Sequence, residues 1–141
     1  MTLGTLPAPP EDVAAAFGAY PPNARARIFE VRETLFDLAT QLEVGPLTET
    51  LKWGEPAYLT EATKAGSTVR LAWSRKAPDA AQVLFICSTQ LVDAFRARFG
   101  DDLNCVGNRA IHLPLGEGYA KDALAQCLAM ALTYKRRTVL A

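Results

Sequence analysis

The sequence predicts a single α+β domain, with a mainly antiparallel sheet of about four to five strands and four helices packed largely on one face. Apolar residues recur at helical spacing towards both ends of the chain and alternate with polar residues in the middle. Short turns join the alternating segments, which is typical of antiparallel neighbours. The 141 residues suit one domain, placed at residues 10–141 after an extended lead-in over residues 1–9.

Two helices are predicted before the sheet. The first begins after Pro10 and ends at Gly18. Proline suits the first turn of a helix, and the acidic Glu11 and Asp12 favour its positive end. The second covers about residues 22–42, where apolar residues recur every three or four positions and form a stripe broad enough to pack on a sheet. The stripe comprises Ala24, Ile28, Phe29, Val31, Leu35, Phe36, Leu38 and Leu42.

Four segments with strand character follow. Residues 50–53 and 69–73 alternate apolar with polar side chains, which predicts strands with one buried face. Trp53 is therefore expected to point into the core. Residues 83–87 are apolar on both sides, which predicts a central strand whose second face needs a cover: a helix, a second subunit or a ligand. Residues 109–113 form the last predicted strand.

Two more helices flank this last strand. One is capped by Ser88 or Thr89 and ends before Gly100. The other covers about residues 120–137, and its basic last turn, residues 135–137, complements the negative end of the helix dipole.

Composition and charge exclude several classes of protein. Fifteen basic residues balance fifteen acidic ones, so the basic excess typical of nucleic-acid-binding proteins is missing. No apolar stretch is long enough to span a bilayer, and the first residues lack the pattern of a signal peptide. Cys87, Cys105 and Cys127 are widely separated, which predicts mostly buried, unpaired thiols in a reducing compartment. We therefore expect a cytoplasmic protein that binds neither nucleic acid nor membrane.

A groove for a small molecule is predicted around the first strands. Lys52, Arg70 and His112 alternate with core residues on three strands, so they form a cationic face if those strands are neighbours. Such a face suits a carboxylate or a phosphate, with Arg70 as a bidentate donor. Gly54 permits a bend nearby. The plain alternative is a solvated sheet face beside a packed tryptophan. The predicted ligand-binding residues are Lys52, Trp53, Glu55, Tyr58, Arg70 and His112.

A metal site is the second hypothesis. Glu30, Glu33 and Asp37 share one face of the second helix, where like charges one turn apart repel by roughly 0.2–0.5 kcal/mol. A hard cation such as iron would relieve that repulsion, because carboxylate oxygens suit such ions. Arg27 and Arg32 would relieve it equally well, on an ordinary solvated helix face.

No catalytic residue is predicted, and we expect a binding protein rather than an enzyme. His112 is the only histidine, and its conceivable partners are Cys87, Cys105 and Ser74. None of these lies in a nucleophile motif. A glycine-rich phosphate loop is also missing from the sequence.

Two stretches resemble the YdhG-like family, a family of unknown function. Residues 52–56, Lys-Trp-Gly-Glu-Pro, are similar to the family's strand end, and residues 107–115 are similar to its late glycine turn, strand and Pro-Leu exit. The resemblance covers about residues 10–137, including Tyr20-Pro-Pro, and implies a compact α+β fold. Some relatives are described as frataxin-like iron chaperones, but no metal-ligand motif defines the family and no ligand carries over to this chain.

Three functions are the main alternatives from the sequence, and an undescribed enzyme has the least support. The leading hypothesis is a module that binds a small anionic ligand or a metal ion in the predicted groove. The second is a frataxin-like iron chaperone that uses the carboxylates of the second helix. The third is an interaction protein whose open sheet face forms a homodimer.

Overall fold

The computed structural model describes residues 6–136. Predictions that concern residues 1–5 and Arg137 lie outside this range. The described chain forms four α-helices and six β-strands. The helices are α1 (Glu11–Gly18), α2 (Pro22–Gln41), α3 (Leu91–Phe99) and α4 (Lys121–Leu132). The strands are β1 (Thr48–Lys52), β2 (Glu55–Leu59), β3 (Val69–Ala72), β4 (Ala80–Phe85), β5 (Asn104–Val106) and β6 (Ala110–Pro114). The predicted α+β class is confirmed, with a slightly larger strand count.

The six strands form one sheet in the order β1-β2-β3-β4-β6-β5, and every pairing is antiparallel. The two strands that the sequence did not predict are β2 and β5. Pro56 hid β2, because proline inside a run is typical of a strand end. In the structure Pro56 is buried and pairs with Leu51. The other strand, β5, has three residues, too few to show an alternating pattern.

One face of the sheet packs against the helices and forms the main core. Val69 and Leu71 of β3 and Val83 and Phe85 of β4 point to this side and are fully buried. Four residues of the predicted stripe on α2 are buried as well: Ala24, Ile28, Val31 and Leu35. Phe29, which was expected to widen the stripe, is exposed. Full burial of one such aliphatic side chain contributes about 1.5–3 kcal/mol, so this face accounts for most of the fold's stability.

The ends of α2 and α4 are tied to their surroundings by backbone carbonyls. The Ser67 amide donates to the Ala131 carbonyl of α4 at 2.8 Å. Arg136 donates to the carbonyls of Leu42 and Glu43 at 2.8 and 2.7 Å, directly beyond α2. Its charge therefore serves the end of α2, and not its own helix as predicted, because the two helices pack together. Within residues 6–136, every helix is too short or too polar to cross a bilayer.

Candidate functional site

The β1–β2 hairpin turns over two residues, Trp53 and Gly54. Lys52 pairs with Glu55 across the turn, and the turn residues have φ angles of 56° and 75°. Positive φ at both central positions is the type I′ geometry, whose twist matches that of the flanking strands. The Trp53 side chain is 89% exposed. The prediction that it points into the core is wrong, because the strand ends one residue before it and the alternation stops there.

The strand register divides the predicted site residues between the two faces of the sheet. Lys52, Glu55 and Arg70 lie on the face opposite the helices, which we call the open face. Tyr58 lies on the helix side, where it is fully buried and its hydroxyl donates to Glu49 at 2.8 Å. Tyr58 was expected to line the groove, but within β2 its neighbours take the open face and Tyr58 belongs to the core.

His112 also lies on the open face, but at a distance from Lys52. It pairs with Gln82 of β4, whereas Lys52 belongs to the edge strand β1. Four strand spacings of about 4.8 Å put the backbones of Lys52 and His112 roughly 19 Å apart. His112 lines a second groove of about 620 Å³ together with Asp79 and Asn104. Burial lowers the pKa of His112, which favours the neutral imidazole. The grouping of His112 with the other predicted residues was therefore wrong.

Four of the six predicted residues line one groove of about 670 Å³ on the open face. We call it the open-face groove, and they are Lys52, Trp53, Glu55 and Arg70. Its size lies within the range of about 300–1,000 Å³ that small-molecule sites occupy. Lys52, Glu55 and Arg70 lie on neighbouring strands, which hold side chains more precisely than loops do, whereas Trp53 lies in the hairpin turn.

The open-face groove contains more positive than negative side chains. Arg70 donates from Nη1 to Glu55 Oε1 at 2.8 Å, and the side chains are 16% and 28% exposed. Arg109 and Lys52 also line the groove, so three cations accompany one carboxylate. Burial raises the pKa of the Glu55 carboxyl, and Arg70 and Arg109 offset that effect only in part. The groove therefore offers positive charge to a ligand beside a single acceptor group.

Sequence reasoning missed the residues at the far end of the groove. Arg109, Ile86 and Cys87 line it, and Ile86 is 42% exposed. Cys87 is exposed, so the prediction of mostly buried thiols fails for it; Cys105 is half-buried and Cys127 buried. The signal for Ile86 and Cys87 was the apolar run at residues 83–87. That run continues past the end of β4 at Phe85, and its last two residues leave the core.

The second face of β4 carries its own small apolar cluster. Leu84 packs there with Ala72 of β3 and Ala110 of β6, and the three side chains are only 6%, 2% and 5% exposed. Small neighbours and flanking side chains therefore shield Leu84 without a helix above it. The sequence predicted that this face needs a cover, and the prediction is met in part. The side chains at the centre of the face shield one another, and exposed apolar side chains remain at its edge.

The acidic residues of α2 do not form a metal centre. Across residues 6–136, no group of three or more histidine, cysteine, aspartate or glutamate side chains is arranged to hold a metal ion. Glu30 pairs with Arg27 at 2.9 Å, which is the alternative that the sequence had left open. Glu33 is exposed and Asp37 half-buried on the same helix. The predicted set Glu30, Glu33 and Asp37 thus gains no further ligand from the fold.

The polar cluster that is most deeply buried was not predicted. Arg32 binds Glu49 through two hydrogen bonds of 2.6 and 2.8 Å, and the side chains are 3% and 6% exposed. Tyr58 donates to the same carboxylate, and Arg32 also donates to the Pro7 carbonyl. Phe36 lies under the guanidinium, 4.9 Å from it. Because Val31 and Leu35 flank Arg32 on the buried side of α2, its place near the apolar stripe was a signal that could have been used.

Comparisons with known proteins show a likeness of fold. The chain resembles the crystal structure of YdhG, a protein of the DUF1801 family from Bacillus subtilis, with a TM-score of 0.55 over 90% of this chain and 94% of that chain. Sequence identity is 17%, so the likeness concerns architecture. It confirms, at the level of the fold, the predicted resemblance to YdhG-like proteins. No family model matches the sequence, and no curated protein matches it.

Proposed function

We propose that the chain is a binding module whose open-face groove holds a small molecule through an anionic group, a carboxylate or a phosphate. One observation carries the proposal: three cations and two exposed apolar side chains line the same groove. The cations are Lys52, Arg70 and Arg109, and the apolar side chains are Trp53 and Ile86. Apolar walls with a few polar groups that fix orientation are typical of small-molecule sites.

Trp53 supports this proposal because the fold gains little from it. A large side chain in the left-handed region of backbone conformation is unusual, and such positions cluster at functional sites. Trp53 combines this conformation with 89% exposure, so its ring buries almost no surface in the free protein. A ligand that covers the ring would bury its surface. Aromatic rings contribute strongly to binding when they are buried.

Each charged residue takes a different role in the proposed complex. Arg70 lies on a central strand beside the buried cluster of Leu84, and its planar guanidinium suits a carboxylate or a phosphate. Lys52 and Arg109 also line the groove and are exposed, so they attract the anion. Bonds between charged partners contribute about 1.5–3 kcal/mol each, enough for a measurable affinity.

Titration with simple aromatic anions tests the proposal. 3-Phenylpropionate and phenyl phosphate serve as probes, and Trp53 fluorescence is the signal in a Trp73→Phe background. We expect Arg70→Gln and Arg109→Gln each to weaken binding by roughly tenfold or more, because each removes a charge-assisted bond. Arg75→Gln is the matched control, since Arg75 is an exposed cation outside the groove. Equal affinities in Arg75→Gln and Arg109→Gln would refute the role of the groove.

Light scattering in the same samples separates ligand binding from self-association. Trp53, Ile86 and Val106 are exposed on one side of the sheet, which is the feature that the homodimer hypothesis requires. Ligand binding predicts a constant molar mass as the probe saturates the protein. A mass that doubles with concentration and falls with Trp53→Lys would favour the homodimer instead.

A further inference from the structure

The single carboxylate of the open-face groove needs an explanation. A site for a plain anion would gain from cations alone, yet Glu55 lies 2.8 Å from Arg70 and weakens its attraction for such a ligand. The pair is only partly buried, so it contributes little to stability. Glu55 therefore contributes little to folding, whereas a ligand with a hydrogen-bond donor can bind its carboxylate.

The hydrogen bonds of this pair leave capacity on both partners. Arg70 makes one bond, from Nη1 to Glu55 Oε1. Within the described chain, no other acceptor takes a hydrogen bond from the Arg70 fork, and no donor reaches Glu55 Oε2. An arginine and a carboxylate can share two parallel bonds, so the single bond is an incomplete match. The groove thus presents a guanidinium edge and a carboxylate oxygen next to each other.

From this arrangement, and resting on the function proposed above, we propose that the ligand is a free α-amino acid with a large apolar side chain. An α-amino acid carries a carboxylate and an ammonium on the same carbon atom, so its opposite charges lie as close together as those of Arg70 and Glu55. The ligand carboxylate accepts from Arg70 and Arg109, and its ammonium donates to Glu55 Oε2. Both charged groups of the ligand then have an opposite partner.

The walls of the groove select the side chain of the amino acid. Ile86 and Leu59 lie at one end and Trp53 at the other, and all three line the groove. An aromatic or long aliphatic side chain would cover the apolar surface at one of these ends and remove it from water. The side chains of alanine and glycine as ligands are too small to cover these walls, which then stay in contact with water. The groove contains two more cations than carboxylates, which also favours a ligand with a free carboxylate over one whose carboxyl group forms a peptide bond.

Four related compounds test the inference: L-phenylalanine, N-acetyl-L-phenylalanine, L-phenylalaninamide and 3-phenylpropionate. The first has both charges, the second and fourth lack the ammonium, and the third lacks the carboxylate. We expect L-phenylalanine to bind at least tenfold more tightly than each of the others, by calorimetry or by Trp53 fluorescence. Glu55→Gln should remove that preference while leaving 3-phenylpropionate binding unchanged or tighter. Glu61→Gln, at an exposed position outside the groove, is the matched control.

The outcomes separate this inference from the proposed function. If 3-phenylpropionate binds as tightly as L-phenylalanine and loses affinity in Arg70→Gln, the groove binds anions and the amino-acid inference is wrong. If none of the four compounds binds and the simple anions also fail, both proposals are wrong. If L-phenylalanine binds with its full preference in Glu55→Gln, the ammonium does not contact Glu55 and the inference is overturned. Thermal unfolding of each variant confirms that it is folded.

Discussion

The two faces of the sheet each carry an arginine–glutamate pair, and the pairs differ in almost every physical respect. On the helix side, Arg32 and Glu49 are 3% and 6% exposed and share two hydrogen bonds. On the open face, Arg70 and Glu55 are 16% and 28% exposed and share one. The residue types are the same, so the surroundings decide what each pair does.

The difference teaches how a structural pair is told from a ligand-facing one. Charges that leave water need their full set of hydrogen-bond partners, since an unpaired buried charge is very costly. Glu49 meets that demand through Arg32 and the hydroxyl of Tyr58. Glu55 does not, and its remaining capacity faces a groove. We therefore assign the first pair to stability and propose a binding role for the second.

The largest expected effect separates the two pairs directly. Glu49→Gln leaves the Arg32 guanidinium buried without its counter-charge, and breaking a buried pair in this way typically costs about 3–5 kcal/mol. Glu55→Gln breaks a partly exposed pair and should cost less than about 1 kcal/mol. Urea unfolding of both variants and the parent measures the two changes in free energy. Equal losses would mean that exposure does not distinguish the pairs.

Much of the fold followed from the sequence because periodicity records which side of an element is buried. The stripe on α2 and the alternation at residues 69–73 predicted the helix and the strand with their correct buried faces. The prediction failed where local geometry overrides periodicity. At Trp53 a two-residue turn interrupts an alternating run, and at Pro56 a proline sits inside a paired strand. Neither the turn nor the proline depends on hydrophobicity, so the spacing of apolar residues could not predict them.

The site was harder to predict, because it depends on strand order. The alternation placed Lys52, Arg70 and His112 on polar sides of their strands, but only the order of the strands shows how far apart they lie. Strand β2 stands between β1 and β3 and brings Glu55 next to Arg70. Arg109 enters the groove through the pairing of β4 with β6. These are contacts between distant segments, which spacing along one segment does not record.

A second comparison concerns the apolar residues of the two faces. Leu71 is fully buried against the helices, whereas Leu84 lies on the open face in a small cluster with Ala72 and Ala110. Leucine-to-alanine changes typically cost 2–5 kcal/mol, with the larger costs where neighbours cannot close the cavity. We expect about 4 kcal/mol for Leu71→Ala and about 2 kcal/mol for Leu84→Ala by urea unfolding. A larger loss at Leu84 would show that something covers the open face.

The smallest effect is a pH dependence that follows from the burial of Glu55. Burial raises the pKa of its carboxyl above the reference value of 4.5, so the folded chain holds this proton more tightly than the unfolded chain does. The resulting stability is present below pH 4.5 and is lost as the pH rises through the raised pKa. The parent should therefore lose stability relative to Glu55→Gln over that window, and the difference should then stay constant up to neutral pH.

Comparison with Glu55→Gln removes the other groups that titrate in the same range. Burial lowers the pKa of His112, so protonation of this residue favours the unfolded chain and stability rises with pH up to about 6.5, the opposite sign. Both proteins contain His112, so its contribution cancels in the difference. Unfolding free energies at half-unit intervals from pH 4 to pH 7 give the curve. A flat difference would mean that folding does not shift the pKa of Glu55. A difference that grows in favour of the parent would mean that the Glu55 charge stabilises the fold, and the pair with Arg70 would then belong with Arg32 and Glu49.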